Sequence, residues 1–188
     1  MKLFLIRHGE TPWTLSGQHT GRSDPPLTER GQKEALDIGE RLKNISFEKV
    51  LCSPSLRARE TCRIAGFLET QAEITHELSE WDYGRYEGLT SGEILKMDPS
   101  WSVFSKGAPD GESVEDITQR AHHVLSLLQG LQGNAVLFSS GHFLRALTAI
   151  WLQLSVQEGR CFYLSPGSLS ILGYERLSPV ILLYNNTQ

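Results

Sequence analysis

Apolar runs and amphipathic stretches alternate along the chain. LFLI at 3–6 is an apolar run bounded by charge, the pattern of a strand buried on both faces. Residues 7–27 hold Gly9, Gly17, Gly21, Pro12, Pro25 and Pro26 among polar neighbours, which predicts a long loop of the kind that often carries function. Thr28 is placed to cap a helix in which Ala35, Ile38 and Leu42 recur at helical spacing, and FEKVLC at 47–52 reads as a second strand. Beyond Ser55, the positions Ala58, Cys62, Ala65 and Leu68 form a further stripe. Arg57 then falls in the first turn of a helix, where its guanidinium reaches the end of the second strand.

The middle of the chain, about 70–111, breaks this regularity. Trp81, Tyr83, Tyr86, Trp101 and Phe104 are mixed there with Gly, Asp and Pro, and one short helix is expected near 91–97. The pattern suggests a lid-like insertion. Ser113 and Asp116 resemble a capping box, opening a helix through about Leu131 with Ile117, Ala121, Val124 and Leu128 on its apolar face. AVLFSS at 135–140 is a third buried strand, followed by Gly141, His142 and the apolar helix FLRALTAIWLQL. β-rich stretches at 161–165, 169–174 and 180–184 close the chain. Strands alternating with helices predict an α/β fold, a three-layer α/β/α sandwich with a mostly parallel central sheet, built as a single domain over 1–188.

Composition narrows the function classes. A formal net charge of −4 argues against a general nucleic-acid binder, which needs a basic face. No run approaches the roughly 20 apolar residues of a membrane span, and MKLFLIRHG turns charged too early for a secretory signal, so a cytoplasmic protein without membrane contact is expected. Cys52, Cys62 and Cys161 are odd in number and lack a C-x-x-C pair, which supports neither a disulfide framework nor a zinc site. The apolar residues of the tail allow a homodimer without fixing one.

In an open parallel sheet, ligands bind beyond the carboxyl ends of strands. Three predicted strands end in suggestive chemistry: Arg7 and His8, then Ser53 to Arg57, then Gly141 and His142. Two arginines supply forked donors matched to phosphate oxygens, and a protonated His142 would add another. His8 is left to attack phosphorus, provided that its other nitrogen is held by an acceptor which fixes the tautomer. Preorganised positive charge neutralises the phosphoryl oxygens without requiring a metal or other cofactor. Glu80, beside Trp81, is the candidate proton donor, on the expectation that an apolar neighbour raises its pKa; Glu77 and Glu87 compete. Taken singly, Arg7-His8-Gly9 is more often an ordinary strand exit and Arg57 more often a solvated helix residue, and His142 reads as well as a helix-capping or core histidine; the coincidence of three strand ends carries the functional reading.

At these residues the chain resembles the histidine phosphatase superfamily, in the branch that includes the cofactor-dependent phosphoglycerate mutases. LFLIRHGETPW resembles its signature, and TGRSDPPLTERGQKEA, CSPSLRARETCRIA, LSEWDYGRYEGLT and SSGHFLRAL continue the likeness in order. The resemblance implies a phosphoglycerate mutase-like fold, with His8 as phosphohistidine, Glu80 as acid/base, and Arg7, Arg57 and His142 holding the phosphate. It places Thr14, Gln18, Thr20 and Gly21 at the substrate mouth, with Tyr83 beside them. Thr14 stands where many members have Asn. The likeness is strongest to acid-phosphatase and sedoheptulose-bisphosphatase members, implying a small phosphomonoester as substrate.

Four residues separate Cys52 from Arg57, one too few for a cysteine-dependent phosphatase loop. No carboxylate or histidine cluster shows metal-ligand spacing. A mutase would need further basic residues in the middle segment, whereas 88–111 holds only Lys96 and Lys106. A non-catalytic phospholigand-binding protein would not need His8 together with Glu80. Of the basic residues left to approach the mouth, His19, Arg22, Lys106 and Arg160, the last is expected at the head of a strand RCFYLSPGS, meeting a second phosphate.

Overall fold

A computed structural model describes residues 1–67 and 71–187, and places six strands in one sheet with helices on both sides. In chain order these are β1 (Leu3–Arg7), α1 (Pro12–Ser16), α2 (Glu29–Leu42), β2 (Phe47–Cys52), α3 (Leu56–Ile64), β3 (Glu73–Ile74), α4 (Ser91–Met97), α5 (Val103–Lys106), α6 (Val114–Ser126), β4 (Asn134–Ser139), α7 (Gly141–Trp151), β5 (Leu169–Glu175) and β6 (Ser178–Asn186). The sheet order is β3-β2-β4-β1-β5-β6. β3, β2, β4 and β1 run parallel, while β5 lies antiparallel to β1 and β6 antiparallel to β5.

The period-2 alternation of β1 assigns its neighbours. Leu3 and Leu5 enter one core with Leu137 of β4, Ile117, Ala121 and Val124 of α6, and Leu144 and Leu147 of α7. Phe4 and Ile6 enter the other with Val136 and Phe138, against Ile38 and Leu42 of α2 and Ala58 and Cys62 of α3. Each fully buried Leu, Ile or Phe contributes about 1.5–3 kcal/mol, so the sandwich is held from both faces. The expected helix caps form: Thr28 accepts from the Gly31 N–H, and Ser113 and Asp116 make a reciprocal capping box.

Several expectations are corrected. The segment 7–27 contains α1, opened by its own box between Thr11 and Thr14. The helix after Ser113 ends at Ser126 rather than near Leu131. Leu68 of the expected α3 stripe, and residue 70 at the start of the insertion, lie outside the described residues. Within 71–111, Leu78, Trp81, Tyr83, Ile94, Trp101 and Phe104 join the same core as Leu3 and Leu5, so the segment packs as part of the body. The stretch 161–165 is no strand: Val156–Cys161 is a 3-10 helix, and the chain then wraps the end of β1. Its hydrogen bonds go to that end, with the Gly167 N–H donating to the His8 carbonyl at 3.0 Å and the Arg7 N–H donating to the Ser168 carbonyl at 3.1 Å.

Candidate active site

The carboxyl ends of β1 and β4 converge on a cavity of about 280 Å³ lined by Arg7, His8, Thr14, Gln18, Thr20, Glu80, Tyr83 and His142 among others, while Ser53–Ser55 beyond β2 line a neighbouring one. His8 leaves β1 on a sharp exit, its backbone N–H donating to the Ser139 carbonyl of β4. A Cβ at Gly9 would strike the Gly31 carbonyl, so glycine lets the loop cross α2 at this point.

His8 Nδ1 lies 2.8 Å from the Gly9 carbonyl, which requires the proton on that nitrogen and leaves the Nε2 lone pair to accept from Arg57 Nε at 3.2 Å. Burial, reinforced by the positive charges of Arg57 and Arg7, holds the imidazole pKa well below its ordinary value. His8 is therefore a neutral imidazole of fixed tautomer at neutral pH, with its Nε2 lone pair unprotonated.

Arg57 is fully buried, its Nη1 and Nη2 donating to the Ser23 and Thr20 carbonyls at 2.9 Å each. It thereby ties the 20–24 loop to His8. Arg7 donates through Nη1 to the Leu164 carbonyl, and its buried Nε has no hydrogen-bond partner among the described residues. An orphaned buried donor beside a neutral imidazole marks a place for an anion.

Glu80 is anchored differently from the expected apolar setting. Its Oε1 accepts from the Trp81 and Phe143 N–H groups at 2.9 and 2.8 Å, and its Oε2 accepts from the His142 N–H at 2.9 Å. Ser140, the N-cap of α7, makes no side-chain cap bond. A carboxylate sixty residues upstream in sequence therefore satisfies the helix terminus. The Trp81 indole N–H instead donates to the Glu112 carbonyl.

His142 does not carry the proton expected of it. Burial, with the charge of Arg145 adding, holds its pKa well below the ordinary value. Its Nδ1 is hydrogen-bonded to the Tyr83 hydroxyl, and burial keeps that phenol protonated well above its usual pKa. The phenol donates, so the imidazole retains a proton on Nε2 and remains a neutral donor. Its ring packs among Tyr83, His19 and Phe104 at centroid separations of 5.9, 5.7 and 5.3 Å, forming a wall of the cavity.

The remaining expected residues divide. The Thr14 hydroxyl donates to the Thr11 carbonyl and accepts from the Thr11 N–H, so its capping box already occupies it. Gln18 lines the cavity with its amide donating to the Gly88 carbonyl, and Thr20 lines it while its carbonyl holds Arg57. Gly21 faces a neighbouring cavity of about 480 Å³ that shares Glu80, and its N–H donates to the Glu87 carboxylate. Arg160 lies in the 3-10 helix rather than at a strand head, its side chain 65 % exposed and 3.7 Å from Glu158, and it does not line the cavity. Arg22 and Lys106 pair with Asp82 and Asp98. Sequence reasoning passed over Arg145, a lining residue read as one charge in an apolar helix. The available signal was its i+3 spacing from His142, which puts both on one helix face.

Among the described residues no group of three or more His, Cys, Asp and Glu is arranged to hold a metal ion, and no helix is long and apolar enough to cross a membrane. The α/β sandwich with a buried neutral histidine between two arginines at its strand ends defines a histidine phosphatase. The chain belongs to the histidine phosphatase superfamily (branch 1), whose family model matches residues 3–187. It is 41% identical over 178 residues to an acid phosphatase of Mycobacterium tuberculosis, covering 93% of this chain and 87% of that protein. It is 31% identical over 190 residues to the sedoheptulose 1,7-bisphosphatase of Saccharomyces cerevisiae, covering 84% of this chain and 69% of that protein. A solved structure of an open reading frame product from Mycobacterium tuberculosis superposes with a TM-score of 0.94 at 37% identity, covering 98% of this chain and 96% of that one.

Proposed function

We propose that the protein hydrolyses a small phosphorylated metabolite, a sugar phosphate or bisphosphate, through a phosphohistidine at His8. The observation that carries this reading is the neutral, tautomer-fixed His8 between Arg7 and Arg57. The names of the acid-phosphatase and sedoheptulose-bisphosphatase relatives support the substrate class. On binding, phosphate oxygens take over the Arg57 Nε donor and occupy the orphaned Arg7 Nε. The freed His8 Nε2 lone pair then bonds to phosphorus as the ester P–O bond breaks. Glu80, the one carboxylic residue among the described residues lining this cavity, passes the proton carried by the bound phosphomonoester monoanion to the departing oxygen and then, as a carboxylate, takes one from the water that attacks the phosphohistidine. His142 Nε2–H and the cationic guanidinium groups hold the phosphoryl oxygens. Three free thiols suit a reducing, cytoplasmic setting.

Rapid acid quench with a radiolabelled phosphomonoester tests the reading. Wild type should yield acid-labile label on Nε2 of His8 and release inorganic phosphate, and His8→Ala should do neither. Label surviving in His8→Ala, or activity abolished by a chelator and restored by magnesium, would refute it. Transfer of the label to a second hydroxyl of the metabolite in place of water would make the enzyme a mutase.

A further inference from the structure

Glu80 stands in a stretch, 79–83, without regular secondary structure, between 3-10 helices at His76–Leu78 and Gly84–Tyr86. Irregular backbone beside a buried carboxylate needs partners for its own polar groups. The four consecutive carbonyls from Glu77 to Glu80 each have one. That of Leu78 accepts from the Ser139 hydroxyl at 2.6 Å. The other three accept from a single guanidinium, that of Arg120 on α6. Its Nη1 donates to the Glu77 and Ser79 carbonyls at 3.0 and 2.6 Å, and its Nη2 donates to the Glu80 carbonyl at 3.3 Å. The remaining N–H groups of Arg120 go to Glu112, from Nε to Oε1 at 2.9 Å and from Nη2 to Oε2 at 2.8 Å. Glu112 in turn holds the other side of Glu80. Its Oε2 accepts from the Asp82 N–H and its carbonyl accepts from the Trp81 indole, both at 2.9 Å, and its own N–H donates to the Asp82 carbonyl. The Arg120 guanidinium also lies over the Phe143 ring, 4.4 Å from its centroid, and the Phe143 N–H is a donor to Glu80 Oε1.

Both side chains of the pair are largely buried, so its two parallel bonds escape the screening that weakens surface ion pairs. Every N–H of the fork is used, an arrangement that lysine cannot reproduce. Ser79, Glu80, Asp82, Glu112 and Arg120 all line the neighbouring cavity of about 480 Å³. On that side the segment has space to move into, and the pair is what keeps it against α7. Because Glu112 balances the guanidinium, the backbone is fixed without a net charge being added beside a carboxylate that must gain and lose a proton. We propose that Arg120 and Glu112 are positioning residues, which together set the backbone of 79–82 so that the Glu80 carboxylate meets the start of α7 and the departing oxygen of the substrate at once. This rests on the phosphatase reading of the site.

Two variants test it. Arg120→Lys keeps the charge but loses the fork, and Glu112→Gln, which keeps one acceptor oxygen, carries the same measurements where Arg120→Lys does not fold. Amide hydrogen exchange reads the position of the carboxylate. The His142 and Phe143 amides lie in the first turn of α7, without an intrahelical acceptor, so their protection comes from Glu80. Both should exchange about tenfold faster or more in the variants, with later turns of α7 unchanged. Kinetics supplies a second readout. For glycerol phosphate kcat/KM should fall by about tenfold to a hundredfold, the effect of a general acid misplaced by about 1 Å. The nitrophenol burst from nitrophenyl phosphate should keep its rate and amplitude within about twofold, because that leaving group needs no proton. In a Glu80→Gln background, Arg120→Lys should change glycerol phosphate turnover by less than about twofold, since the group it positions has already lost its proton transfer. Unchanged protection of the two amides, equal losses on both substrates, or full additivity with Glu80→Gln would overturn the positioning role. Wild type that forms no phosphohistidine with either substrate would instead refute the phosphatase reading, and hydrogen exchange would still decide whether the pair positions Glu80.

Discussion

Glu80→Gln separates the hydrogen bonds that Glu80 makes at the start of α7 from the proton transfer proposed for it. Glutamine is nearly isosteric, and retaining its oxygen at the Oε1 position preserves the bonds from the Trp81 and Phe143 N–H groups. Its NH₂ then faces the His142 N–H, two donors in opposition where Oε2 now accepts at 2.9 Å. The loss is one charge-assisted hydrogen bond, about 1.5–3 kcal/mol, plus about 0.3–1 kcal/mol from removing a negative charge at a helix N-terminus. Stability should therefore fall by about 2–4 kcal/mol, which for a chain of this size lowers Tm by roughly 5–15 °C. Urea unfolding and calorimetry measure this directly. The kinetic consequence depends on the leaving group. Nitrophenolate departs without a proton, so Glu80→Gln should still release a stoichiometric burst of nitrophenol and then turn over slowly, because the water attack lacks its base. An aliphatic sugar phosphate should show no burst, its first step being slowed by about 10²–10⁴, the usual contribution of a positioned general acid. An unchanged unfolding midpoint would refute the capping role, and equal losses of burst on both substrates would show that Glu80 acts only by holding α7.

Two further outcomes follow from the packing around the nucleophile. A Cβ at Gly141 would lie 3.2 Å from both Cζ and Nε of Arg7, so Gly141→Ala should push the guanidinium by a few tenths of an ångström and raise KM for phosphomonoesters by about tenfold, with stability within about 1 kcal/mol of wild type; an unchanged KM would mean that Arg7 does not position the phosphate. His8, His19 and His142 are all held below the ordinary imidazole value of 6.5 by burial, so below that pH the unfolded chain takes up protons which the folded chain excludes. Stability should be full above about pH 6.5 and decline toward pH 5 by up to about 1.4 kcal/mol per pH unit per histidine; a decline no shallower in His8→Gln, followed by denaturant midpoints, would refute the contribution of His8.

Local physics made much of this protein legible in its sequence. The runs 3–6 and 135–140 lie within or around β1 and β4 because both strands are buried on both faces and so carry near-continuous apolar residues. Thr28 and the Ser113–Asp116 pair open their helices because capping acts over three residues. Arg57 lies in the first turn of α3, where the apolar stripe of Ala58 and Cys62 begins, although Ser55 makes no side-chain cap bond. Arg7 and His8 at one strand end, and Arg57 just past another, were enough to predict that these three residues meet. Tertiary structure decided the rest, where a residue's partner is far away in the chain. The segment 161–165 has the composition of a strand, yet its neighbours' backbone groups find partners at the end of β1, and it wraps that end instead. Glu80 stands beside an indole in sequence, but three N–H groups, two of them from α7, define its setting. Nothing within a few residues of Arg145 or Arg160 distinguishes one arginine from the other. Only the docking of α7 on the sheet turns the first into the cavity and leaves the second in solvent.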